Sequence, residues 1–204
     1  MPRMSTRELL EILHKGLTAI GMTIAGEAED LIARLSQGLP HYTHLLALYS
    51  CQIAVDHGRT HVESSDVEAA IQASVRSALQ TIRTAHHKAT SSPRKTLYPE
   101  VLLACALAQT DQLGYFAAAD VRSPMSIIMG RPYDIPAFSA HLNAFCERKR
   151  GPVLQKAGTT RRFRFRFINP LMQPFVIFDG ISRGLITAND IASLPSVPEE
   201  EAAA

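Results

Sequence analysis

A chain of 204 residues, 46% apolar and 20% charged, has room for one large or two small cores and the balance of an ordinary soluble globular protein. No apolar run approaches the roughly 18 residues that span a bilayer, and Met1-Pro2-Arg3-Met4-Ser5 lacks the apolar stretch of a secretory signal, so the expectation is a cytoplasmic protein without a membrane partner. The net charge of +2 divides unevenly: residues 1–88 carry eight Lys/Arg against nine Asp/Glu, and residues 89–204 carry thirteen against ten.

Ser5-Thr6-Arg7-Glu8 has the pattern of a capping box, and Leu9, Leu13, Leu17 and Ile20 then recur at helical spacing, predicting a helix over 6–20. A second helix is expected from Gly26 to Gln37, with Gly38 as its C-cap. Pro40 suits the first turn of a third helix, with Tyr42, Leu45, Leu46, Tyr49 and Ile53 inward. Thr60-His61-Val62 reads as extended. Ser64 or Ser65 then caps a fourth helix carrying its apolar residues from Val67 through Ile82. Short turns between these helices make a bundle. The Thr90-Ser91-Ser92-Pro93 stretch has linker chemistry, which divides the chain into a bundle at 1–88, a linker at 89–95, a second domain at 96–188 and a disordered tail at 189–204.

In the second domain Tyr98–Gln109 predicts an apolar helix, Gly114-Tyr115-Phe116 a short extended piece, and Ala118–Met129 a helix bent near Pro124. Ile135-Pro136 opens another, with Phe138, Leu142 and Phe145 inward. After Gly151-Pro152 the period switches from helical to alternating. Val153–Lys156 and Arg161–Phe167 predict two strands of a hairpin, and a last helix runs from Asn169 towards Ile181. The fold class expected is mainly α: a helical bundle followed by a winged helix-turn-helix with a β-hairpin wing.

The strongest chemical signal is Arg161-Arg162-Phe163-Arg164-Phe165-Arg166-Phe167. On a strand alternate side chains face opposite ways, so Phe163, Phe165 and Phe167 would pack inward while Arg162, Arg164 and Arg166 form an outward ladder. With Arg148, Lys149, Arg150 and Lys156 they make eight basic and no acidic residues between Arg148 and Arg166 once Arg161 is counted, a field suited to a phosphate backbone. A solvated face that only blocks edge pairing is the competing explanation. The turn residues Thr159 and Thr160 join the candidate set. On the helix before the wing only Asn143 has base-reading chemistry, while Glu147 would repel phosphate. The pattern therefore favours contact with duplex DNA through its backbone.

No G-x-x-x-x-G-K-[ST] occurs, and no apolar strand ends in Asp-Glu, so the chain has neither the amide cradle for phosphates nor the magnesium-holding acid of a nucleotidase. No catalytic residues, metal ligands or cofactor are expected. His41/His44 and His86/His87 lack Cys or carboxylate at ligand spacing. Cys51, Cys105 and Cys146 sit in apolar neighbourhoods and read as reduced, buried thiols.

Arg3-Met4-Ser5-Thr6-Arg7-Glu8-Leu9, followed by a bundle whose third helix opens at Gly38-Leu39-Pro40-His41, resembles the lid subdomain of AAA+ ATPases. With a winged helix after a linker, the order over residues 1–188 is similar to the replication-initiator, origin-recognition branch. The resemblance implies a nucleotide-binding core outside this chain, where ATP and Mg would bind. It also implies partners in duplex DNA, that core domain and neighbouring subunits. In that family a sensor arginine stands three residues after the glycine matched by Gly38. Here His41 holds that place, and an imidazole lacks the permanent charge and planar fork of a guanidinium. The family's winged helix binds duplex through wing and recognition helix, a role that falls on Arg162, Arg164, Arg166 and the Gly158-Thr159-Thr160 turn. A protein-interaction module within an ATPase ring is the alternative.

Overall fold

The computed structural model describes residues 3–94, 96–111, 113–159 and 162–194. Helix α1 (Thr6–Ala19) begins at the expected capping box: Glu8 N–H donates to Ser5 Oγ at 3.3 Å, and Ser5 N–H donates to the Glu8 carboxylate at 2.8 Å. Leu9, Leu13 and Leu17 are its buried stripe. Strand β1 (Thr23–Ile24) follows, then α2 (Gly26–Ser36) and α3 (Pro40–Asp56). Gln37, rather than Gly38, is the left-handed C-cap of α2, at φ 51°, and Gly38 continues the turn at φ 72°. Gly38 is also required sterically, because a Cβ there would lie 2.7 Å from Arg3 Cβ and 3.0 Å from Met4 O.

Strand β2 (His61–Val62) pairs with β1 in parallel, clamping the two loops of the bundle together. Helix α4 (Ser64–Ser77) is capped by residues flanking the expected serines: Glu63 N–H donates to Asp66 Oδ2 at 2.9 Å. Asp66 in turn receives the Arg59 guanidinium at 2.7 Å. The predicted fourth helix is two helices, because the backbone turns extended at Ala78 (ψ 144°) and restarts as α5 (Gln80–Thr90). That break re-aims Ile82, His86 and Ala89 into the core. The linker expected from Ala89 therefore starts too early: Ala89 and Thr90 are buried at the end of α5, and Thr90 Oγ1 donates to His86 O at 2.9 Å. Lys95 at its far end lies outside the described residues.

The second half runs α6 (Tyr98–Leu107), β3 (Phe116–Ala117), a 3-10 turn at Ala118–Val121, and α7 (Arg122–Met129). Next come α8 (Ile135–Ala144), a second 3-10 turn at Arg148–Arg150, β4 (Leu154–Ala157) and β5 (Arg164–Phe167). The helix expected to bend at Pro124 instead changes type at Val121, which leaves Pro124 in the first turn of α7, where its missing N–H costs nothing. Phe138, Leu142 and Phe145 are buried as expected. The antiparallel sheet has the order β3-β5-β4, with Phe116 opposite Phe165 and Leu154 opposite Phe167. Helix, strand, helix, helix and then a two-stranded wing whose second strand lies centrally is the winged helix-turn-helix arrangement. The protein is mainly α, a helical bundle followed by that winged domain.

Helix α9 (Met172–Ser182) returns to the bundle and packs on α2, α4, α5 and α6. The buried apolar residues of both halves form one contiguous cluster. The Phe178 ring stands edge-on to Tyr42 at 5.4 Å, and Tyr42 Oη donates to Leu171 O at 2.5 Å. A polar network crosses the same seam. The Arg3 guanidinium donates to Gln37 O and to Gln173 Oε1, and Gln173 Nε2 donates to Ala106 O at 2.8 Å. Residues 189–194 are not part of a disordered tail: α10 (Ala188–Ser193) is capped by Thr187 and Asp190 and buries Ile191, and Leu194 after it is buried too. Residues 195–204 lie outside the described ones.

Candidate nucleic-acid interface

Strand β5 holds its place through Phe165 and Phe167, which are buried, with Phe165 stacked on Phe116 at 6.1 Å. The strand starts at Arg164 rather than Arg161, because the chain at Gly158 takes φ 95° and Arg162 N–H closes a turn on Thr159 O at 2.8 Å. A Cβ at Gly158 would stand 2.3 Å from Arg162 O, so this turn admits glycine alone. Arg162 consequently projects from the wing tip, exposed, rather than standing as the first rung of a strand ladder. Phe163, expected inward, is half-buried, with Lys156 Nζ 3.6 Å over its ring. Thr159 is exposed, while Thr160 and Arg161 lie outside the described residues.

The rest of the ladder is engaged within the molecule. Arg164 makes an ion pair with Asp111 at 2.9 Å. Arg166 Nε donates to Gln155 Oε1 at 3.0 Å while its guanidinium lies 4.8 Å over the Tyr115 ring. Lys156 Nζ donates to Asn143 Oδ1 at 2.8 Å, and Asn143 Nδ2 donates to Ser139 O at 3.0 Å. The one base-reading candidate is thus occupied on both sides of its amide. The other outward residues of α8 are Pro136, Ala137 and Ala140, without charge or polar reach.

The turn Arg148–Arg150 supplies the remaining cations. Arg148 and Lys149 are exposed, and neither has a carboxylate partner among the described residues. Arg150 is different: it lies 3.3 Å over the Tyr98 ring and donates to Ala89 O and Ser91 O at 2.9 and 3.0 Å. It ties the winged domain to the end of α5 rather than facing outward. Among the described residues, wing and turn therefore present three cations without a side-chain partner, Arg148, Lys149 and Arg162, beside others engaged within the molecule: Arg164 by the Asp111 carboxylate, and Arg166 and Lys156 by neutral groups. Asp111, Tyr115 and Gln155, which hold Arg164 and Arg166, carried no sequence signal because their partners are fixed only when the sheet forms.

His41 is exposed at the first turn of α3, edge-on to Tyr42 at 5.2 Å. Cys51 and Cys105 are buried and Cys146 half-buried, and burial pushes all three thiols up from their ordinary range.

Among the described residues no helix is long and apolar enough to cross a membrane. No protein-family model matches the chain, and no curated protein matches it significantly. Among solved structures it is similar to the crystal structure of Cdc6p from Pyrobaculum aerophilum, at 15% identity and a TM-score of 0.32, over 91% of this chain and 50% of that one. The chain thus spans about half the length of the solved structure it matches.

Proposed function

We propose that this chain binds duplex DNA through the phosphate backbone, as a non-catalytic region of an AAA+ ATPase of the initiator type whose nucleotide-binding core lies in other sequence. The observation that carries the DNA reading is the set Arg148, Lys149 and Arg162: three exposed cations on one wing and its adjoining turn, without a side-chain partner among the described residues, while Arg150, Lys156, Arg164 and Arg166 are engaged within the molecule. A cation held without a partner is available to displace counterions from a phosphate, which is the main source of sequence-independent affinity. The neutral outward face of α8 and the occupied Asn143 argue against direct base readout. The ATPase part of the reading rests on the Gly38-Leu39-Pro40-His41 pattern and the bundle-then-wing order.

Two unrelated duplexes of equal length test the DNA reading by fluorescence anisotropy. Affinities within a few-fold of each other that fall steeply with salt are expected. A strong preference for one sequence, or salt-independent binding, would sink it. Calorimetry tests the non-catalytic part: no micromolar ATP binding and no hydrolysis are expected of the chain alone.

A second reading, attachment to another protein, has its own observation. Ile20 and Leu48 are exposed beside a groove between α1 and α3, floored by Leu13 and Leu17. Thr43 Oγ1 is buried along the same groove without a hydrogen-bond partner among the described residues. Such a groove suits a subunit or core-domain contact. It lies on α1 and α3 rather than on the wing, so the two roles are compatible.

A further inference from the structure

Two long stretches of this chain contain no acidic residue. Ala69–Pro99 holds five Lys/Arg and no Asp or Glu, and Arg148–Phe178 holds eight and none. They belong to different halves, and the fold brings them together at one seam. Gly151 follows the Arg148–Arg150 turn at φ 63°, and a Cβ there would stand 2.8 Å from Lys88 Cδ. The bare glycine lets the Lys88 stem lie across the end of that turn. Arg150 fixes the seam from the other side by capping Ala89 O and Ser91 O. The Lys88 stem is thereby held against the end of the turn that carries Arg148 and Lys149.

Beside this seam the outward face of α5, with Thr81, Thr84 and Lys88, faces Gly151 and Pro152 across an open trough of about 430 Å³. Exposed Arg83, Lys88 and Arg94, like Arg148 and Lys149, have no carboxylate partner among the described residues. Lys88 lines the trough together with the hydroxyl-bearing Thr81 and Thr84, while Arg83 shares its helix and Arg148 and Lys149 stand in the turn just before Gly151. That is the chemistry of a track for an extended polyanion, not a pocket for a single phosphate. Lysine and hydroxyl contacts fix position on a duplex without reading sequence.

We propose that duplex DNA bound at the wing continues along this trough, with Lys88 of α5 as a phosphate contact contributed by the helical bundle. The proposal rests on the DNA reading above and extends it: one duplex spans both halves of the chain.

The test uses the whole chain, its Lys88→Glu variant and its Lys88→Ala variant, each titrated with duplex at several salt concentrations. Lys88→Ala should lower the magnitude of the log–log salt slope by about 0.9, the loss of one phosphate contact, and Lys88→Glu should weaken binding further. A photo-crosslinking residue replacing Thr84 should capture duplex, as should one replacing Thr159 on the wing. Parent-like affinity and slope in Lys88→Glu, with capture from position 159 and none from 84, overturns the extended track and leaves the wing reading standing. A parent chain that shows no salt-dependent duplex binding overturns both.

Discussion

The Asp111 carboxylate holds Arg164 at 2.9 Å, so one arginine of the wing is neutralised by the loop before β3. The other carboxylate oxygen, Oδ1, accepts from Leu113 N–H at 3.0 Å and from Tyr115 N–H at 2.9 Å. Asp111→Asn preserves those backbone acceptors and removes the charge facing Arg164. Duplex affinity should rise by about two- to five-fold, the scale of a part-exposed ion pair worth about 0.5–1 kcal/mol. A folded Asp111→Asn protein binding more weakly than the parent would count against Arg164 lying near the duplex.

Gly180 sits where α9 crosses α6. A Cβ there would lie 2.7 and 2.8 Å from the two Leu103 methyls, both in the buried core. Gly180→Ala should therefore destabilise the protein by about 1–3 kcal/mol through overpacking, despite alanine's better helix propensity. Urea unfolding measures it. An unchanged or raised midpoint would mean that the helices separate freely at this point.

Burial holds His86 below the ordinary histidine range, with Asp179 opposing that shift and Arg183 and His87 adding to it. His86 lies 3.7 Å from Asp179 and edge-on to Phe175. A base whose folded pKa is depressed binds fewer protons folded than unfolded. Its contribution is thus complete above the unfolded value near 6.5 and declines as pH falls from there towards the folded pKa. The half-buried His141, also lowered chiefly by burial, acts in the same window. Asp66, held low by the Arg59 hydrogen bond, acts only below the ordinary carboxylate range. Melting temperatures should fall between about pH 7 and pH 5, and His86→Gln should flatten part of that slope. Equal slopes in parent and variant would mean that His86 titrates alike in the folded and unfolded protein.

Much of the architecture was legible because it is local. The Ser5–Glu8 box, the Phe138/Leu142/Phe145 stripe and the alternation of β5 are short-range patterns, and each stands where periodicity puts it. What escaped depends on distant partners. The α4–α5 break at Ala78 interrupts an apolar stripe that continues on both sides, and only the packing of α5 beside α6 and α9 selects it. α10 was hidden beside acidic and proline-rich sequence. At the site, alternation placed Phe165 and Phe167 correctly but could not show that Asp111, Gln155 and Asn143 would take up Arg164, Arg166 and Lys156. The ladder in sequence is thus a smaller set of free charges in space.

The measurement closest to the central claim is a salt titration of duplex binding by the parent chain and by a variant carrying Arg148→Ala, Lys149→Ala and Arg162→Ala. All three side chains are exposed and none closes the core, so the variant should keep the parent's unfolding curve. If they face phosphates, the magnitude of the log–log salt slope should drop by about two to three units, at roughly 0.9 per contact, and by the same amount on unrelated sequences. A folded variant with the parent's affinity and slope would contradict the account and move the function to the α1–α3 groove.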